Sequence, residues 1–191
     1  MLISFLLVHP LLVAFVWAGM YIFDFSATLW LARLYQNNLA RHFTHEGGVE
    51  MNPVFEKDIA GLRLISPRFL ILLTVMTALL VFLGMLDPGG ADFEFVMGAF
   101  LLLWSFIDLR HLRNIYFYLH LKSRPAAVDG HIRQTYWLDQ RLVAYDAFAF
   151  GVVCGIAGLV SERPFFLGGL LICFLLALRH FLLANRKPKV V

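Results

Sequence analysis

The sequence predicts an all-α fold: a polytopic membrane helix bundle of five transmembrane helices, N-terminus outside and C-terminus cytosolic, in a single domain over residues 1–191. Three observations carry this. The chain is 60% hydrophobic and only 15% charged, against about 25% charged in soluble domains. Five apolar runs reach the roughly 20 residues that cover a hydrocarbon core at about 1.5 Å per residue. The basic residues also alternate along the chain. Arg33, Arg41, Lys57, Arg63 and Arg68 follow the first run, and Arg110, Arg113, Lys122, Arg124, Arg133 and Arg141 surround the connection from the third to the fourth. Arg179, Arg186, Lys187 and Lys189 end the chain, while the other two connections hold only Arg163. The positive-inside rule puts the basic segments in the cytosol, which agrees with five spans and breaks with four or six. The expected location is the cell (inner) membrane.

The first span, about 2–30, lacks the basic n-region and small-residue cleavage site of a signal peptide, so it is expected to be retained. It frays into Gln36-Asn37-Asn38, and then comes the most polar, glycine-rich passage between two apolar runs, His45-Glu46-Gly47-Gly48-Val49-Glu50-Met51-Asn52-Pro53. Asn52-Pro53 reads as a helix start, Asn as N-cap and Pro at the first helical position. Phe55, Ile59 and Leu62 then share a face, which predicts an amphipathic interfacial helix over about 53–65. Ser66-Pro67 repeats the cap logic and opens span two, about 68–86, which Asp87-Pro88-Gly89-Gly90 closes as a tight turn.

Span three, about 93–121, stays in helical phase through Asp108, His111 and Asn114, so its inner third is polar. In the following connection Tyr136 and Trp137 read as interfacial anchors. Span four, about 138–160, carries Gly151, Gly155 and Gly158 as a small-residue ridge for a close helix neighbour. Span five, about 164–183, is almost uniformly apolar. Cys154 and Cys173 lie inside these last two runs and behave as small hydrophobes.

Depth along the helices brings the chemistry together. Counted from the outer boundary, Asp24, Asp108 and Asp146 each lie roughly 14 or 15 residues in, about 21 to 23 Å down. Ionised carboxylates near the bilayer centre cost on the order of 2.5 kcal/mol or more, so they are expected to face inward and share partners. Thr28 follows Asp24 by one turn, and His111 follows Asp108 by three residues. The loop after span one brings His45, Glu46 and Glu50 to the same side, and Gly47-Gly48 lets its backbone fold over the helix ends. Carboxylates and imidazoles with a nearby hydroxyl and amide are the donor set of a divalent metal ion. The candidate metal ligands are Asp24, His45, Glu46, Glu50, Asp108, His111 and Asp146; Glu50, Asp108 and His111 are the candidate catalytic groups, and Thr28 and Asn52 would orient them. The plain alternative is that the three aspartates pair with Arg33, Arg110, Arg113 or Arg141, that Asn52-Pro53 only caps a helix, and that His120, His131 and His180 are interfacial. No H-E-x-x-H, C-x-x-C, G-x-S-x-G or Walker motif is present.

Asp24-x-x-x-Thr28, followed after a polar linker by Glu50-x-Asn52-Pro53 and another apolar span, resembles an uncharacterised family of small multi-spanning prokaryotic membrane proteins with D-x-x-x-T and E-x-N-P motifs. The resemblance covers the first third of the chain. It implies that the paired motifs meet in space and implies no activity.

The leading functional expectation is an integral membrane protein with a carboxylate/histidine site at the cytosolic leaflet. It would act as a metal-dependent membrane enzyme or as a ligand-binding protein for a lipid-like or small substrate. The alternatives are an oligomeric ion or proton transporter and a structural or assembly subunit. The carboxylates gather in the inner half, which disfavours a continuous path through one subunit. Expected partners are the lipid bilayer and either further copies of the chain or a larger membrane complex, with no nucleic acid.

Overall fold

The structure, a computed structural model, describes residues 2–40, 42–45, 54–124 and 130–185, and the backbone alone at 38, 45 and 132. A short helix α1 (Leu2–Leu7) leads into α2 (Pro10–Leu34), which winds into one turn of π-helix (Tyr35–Leu39) and the three-residue strand β1 (Phe43–His45). Then follow α3 (Glu56–Ala60), α4 (Pro67–Leu86), α5 (Ala91–Ser123), β2 (Ile132–Gln134), α6 (Tyr136–Ser161) and α7 (Pro164–Ala184). Five of these, α2 and α4 to α7, are long and apolar enough to cross a membrane, as a multi-pass membrane protein requires. Their outward surfaces carry exposed Phe82, Met85, Leu159, Val160 and Leu182, an apolar exterior that fits a bilayer as solvent rather than water.

Helix starts follow the local chemistry. Ser66 accepts a hydrogen bond from the Phe69 amide at 3.3 Å and Pro67 takes the first turn of α4, while Thr135 caps α6 through Leu138 at 3.4 Å. In the turn between α4 and α5 the Gly90 amide bonds the Asp87 carbonyl, with Gly89 at φ 78°, a conformation open to glycine. The Asp87 carboxylate accepts the Phe93 amide at 3.2 Å.

Three boundaries differ from the sequence expectation. The first span is not one helix from residue 2: it breaks at Val8–His9, because Pro10 has no amide to continue a ladder from α1. Its helix instead runs on past Trp30 to Leu34. The expected helix over 53–65 is only Glu56–Ala60, closed by Gly61 and by Leu62 at φ 49°. Its Phe55 and Ile59 are buried in the core against α2 rather than lying on a lipid surface. Finally, the two basic connections are tied to each other. β1 and β2 pair in parallel, Thr44 opposite Arg133, and the Tyr35 hydroxyl donates to the Phe43 carbonyl at 2.9 Å.

The helices pack in a definite order. α5 and α7 run parallel with their backbones nearly touching: a Cβ built on Gly98 would fall 1.8 Å from the Phe165 carbonyl oxygen, and one on Gly168 would fall 1.9 Å from that of Phe95. Gly151, Gly155 and Gly158 of α6 receive Phe174, Leu170 and Leu167 of α7, as the glycine ridge predicts. α2 lies along α5 through Trp17, which meets Phe100 and Trp104 edge-on at 5.9 and 5.5 Å. α4 leans on α2, with Gly84 against Pro10, and barely reaches α5.

Candidate functional site

Three parallel helices, α2, α5 and α7, each turn from aromatic or aliphatic to charged toward the same end, and the space among them and α4 is a cavity of about 360 Å³. That size is within the range of small-molecule sites. Trp17 and Tyr21 precede Asp24 and Thr28 on α2; Trp104 and Ile107 precede Arg110 and His111 on α5; Leu176 precedes Arg179 and His180 on α7. Phe25, Phe55, Leu72, Met76 and Val143 complete the lining. Trp17, Tyr21, Phe69 and Phe25 form a continuous stack on the α2 side, with centroids 5.2, 4.9 and 4.4 Å apart in turn, so this wall is rigid.

At the polar end Asp24 Oδ1 lies 2.7 Å from His111 Nε2, with both side chains mostly buried. Thr28 Oγ1 lies 3.3 Å from the same nitrogen and donates its own proton to the Asp24 carbonyl oxygen at 2.9 Å. With the threonine proton committed, both neighbours of Nε2 are acceptors. Nε2 therefore carries the imidazole proton, and in the neutral ring Nδ1 holds the free lone pair. Nδ1 is buried and has no hydrogen-bond partner among the described residues. A carboxylate that fixes one imidazole nitrogen is the orienting half of a carboxylate–histidine pair.

The candidate residues divide as follows. Asp24, Thr28 and His111 meet at the cavity. Asp108 follows the same helix one turn before His111; its Oδ1 is buried without a described partner. Asp146 does not join them, because Arg110 Nε and Arg113 stand 3.4 and 3.5 Å from its Oδ2 and take it as a counter-ion. The similar depth of the three aspartates is therefore not a convergence of all three: depth fixes height along a helix, and rotation about the helix axis sends Asp146 elsewhere. Among the described residues no group of three His, Cys, Asp or Glu side chains is arranged to hold a metal ion. Glu46, Glu50 and Asn52, and the His45 side chain, lie outside the described residues, so the expected metal set is represented only by Asp24, Asp108, His111 and Asp146.

Sequence reasoning missed Trp17, Tyr21, Trp104, Arg110, Arg179 and His180 as site residues. The aromatic positions carried a signal, since Trp17, Tyr21 and Phe25 recur every four residues on one face of α2. His180, expected at an interface, is instead buried and bonded through Nδ1 to the Oε1 of Gln140, itself fully buried on α6. Arg110 was named only as a counter-ion of the aspartates, and Arg179 was absorbed by the positive-inside count.

Fold and cavity together define the class: a five-helix multi-pass membrane-type bundle with a polar-ended cavity between its helices. Comparison with known proteins finds no matching family model, no matching curated protein and no matching solved structure.

Proposed function

We propose that the protein spans the membrane with its N-terminus outside and its C-terminus in the cytosol, and that it binds a lipid-like or small amphiphilic substrate in this cavity at the cytosolic leaflet. Orientation rests on the basic residues, which gather at the end of the bundle where α2, α5 and α7 finish. The carrying observation is the Asp24–His111 pair, 2.7 Å long, set in a cavity with an aromatic wall at one end and Arg110 and Arg179 at the other. Such a site suits a polar group of a mainly apolar molecule, with the Asp24–His111 pair as the acid/base group at its polar end.

The test is recovery of a bound amphiphile. Protein purified in mild detergent and extracted for mass spectrometry is expected to yield about one retained amphiphilic molecule per chain, lost in Met76→Trp, which fills the cavity. Asp24→Asn and His111→Gln should keep the molecule and lose any conversion of it. Extracts of the native protein that match those of Met76→Trp would overturn the reading. A metal-assisted form adds His45, Glu46 and Glu50 to Asp24 and His111 as donors. Elemental analysis of native protein against Glu50→Gln separates the two forms: metal lost with Glu50 supports the assisted one.

A further inference from the structure

We infer that the ligand is an anionic membrane lipid, its phosphate or carboxylate headgroup held between Arg110 and Arg179 and its chain leaving the cavity sideways between α4 and α7. This rests on reading the cavity as an amphiphile site and names the class of amphiphile. Three observations carry it.

The first is charge. Arg110 and Arg179 come from different helices and line the same space. Asp24 accepts a hydrogen bond from His111, and Arg110 and Arg113 share one carboxylate, Asp146. Arg179 has neither ion-pair nor hydrogen-bond partner among the described residues. Guanidinium groups pair with phosphate and carboxylate through parallel N–H bonds.

The second is polarity along the axis. Trp17 and Trp104 are at the end of the cavity away from the arginines, so a bound molecule is anionic toward one end of the bundle and apolar toward its middle, as a lipid of the cytosolic leaflet is.

The third is access. α4 and α7 both contribute walls through Met76 and Arg179 yet do not pack on each other. A chain too long for the cavity passes between them into the bilayer, which a soluble anion has no use for.

The experiment uses the full chain in phosphatidylcholine nanodiscs, with Trp30→Phe and Trp137→Phe removing the two tryptophans that are exposed on the outside. Trp17, which has no exposed surface, and Trp104 then report cavity occupancy through quenching by brominated acyl chains. Brominated phosphatidic acid is expected to quench at about tenfold lower content than brominated phosphatidylcholine, the scale of one charge-assisted hydrogen bond. Arg179→Gln should remove most of that preference and Arg179→Lys should keep part of it. Arg179 is on the surface, so its replacement leaves the fold intact; Arg110→Gln is read only beside a matching circular dichroism spectrum. Equal quenching by the two lipids, unchanged in Arg179→Gln, overturns the anionic class and leaves the amphiphile site standing. Quenching by neither lipid overturns both. Abolition of the preference by millimolar inorganic phosphate, with no lipid displaced from the native protein, assigns the arginines to a soluble anion and overturns the lipid.

Discussion

His111 is where the residue scale is most informative, because its two nitrogens are told apart by what surrounds one of them. Asp24 and Thr28 both act as acceptors toward Nε2, so ¹⁵N-histidine spectra of the native protein should show the Nε2–H tautomer. In Asp24→Asn the two tautomers should mix. The same substitution removes a charged acceptor from a mostly buried pair and should lower stability by about 1.5–3 kcal/mol in detergent unfolding; no loss would mean that the pair does not form. Asp24, Thr28 and His111 were legible in the sequence through the cost of ionisable groups inside an apolar run. The sequence also put Asp146 with them as a ligand, with pairing to Arg110 or Arg113 as the alternative, and the structure has the pairing, since packing sets rotation about the axis of α6. Arg110 was named in the sequence as a counter-ion of the aspartates, the role it has at Asp146. Arg179 was hidden, because a basic residue near the end of an apolar span is already accounted for by membrane orientation.

Among elements, the contact of α5 with α7 depends on having no side chain at Gly98 and Gly168. Gly98→Leu should force the two backbones apart and cost more than the 1–3 kcal/mol typical of core overpacking, read as a lowered unfolding temperature and as loss of quenching at Trp104. The entry to α4 is held differently. Buried Asp58 accepts the Ser66 hydroxyl at 2.6 Å and lies 3.4 Å from Arg63, while Arg68 donates to the Val54 carbonyl at 2.8 Å. Asp58→Ala should release this knot at a cost of about 1.5–3 kcal/mol and open a protease-sensitive site between residues 54 and 66. The start of α4 was readable because the Ser66-Pro67 cap is a local signal, whereas α6 starts at Tyr136 on a Thr135 cap, inside the stretch read as a connection. The pairing of β1 with β2 was not, because three residues are too few for a period and the partners are far apart in sequence.

For the whole molecule, the strand pair makes a topological prediction. Paired residues of adjacent strands lie about 4.8 Å apart, within the Cα range of a disulfide, so Thr44→Cys with Arg133→Cys should cross-link under oxidation in native membranes. Membrane-impermeant thiol reagents should reach the uncrosslinked pair only from the cytosolic face. The five spans were legible from hydropathy and charge alternation, whereas the cavity was not, because it is a property of how the spans lean on one another. That leaning also has a mechanical side. α5 and α7 meet through glycines at near backbone contact and α6 takes side chains of α7 onto its glycines, and close-packed interfaces of this kind yield little. α4 rests mainly on α2, touching α5 at Gly84 and Phe93, and has the smallest buried share of the five, 17% against 22–39% for the others. The cavity therefore has stiff walls and one compliant wall. The arginines on the stiff side set how tightly a ligand is held, and the give of α4 sets how large a ligand can enter and how fast it leaves.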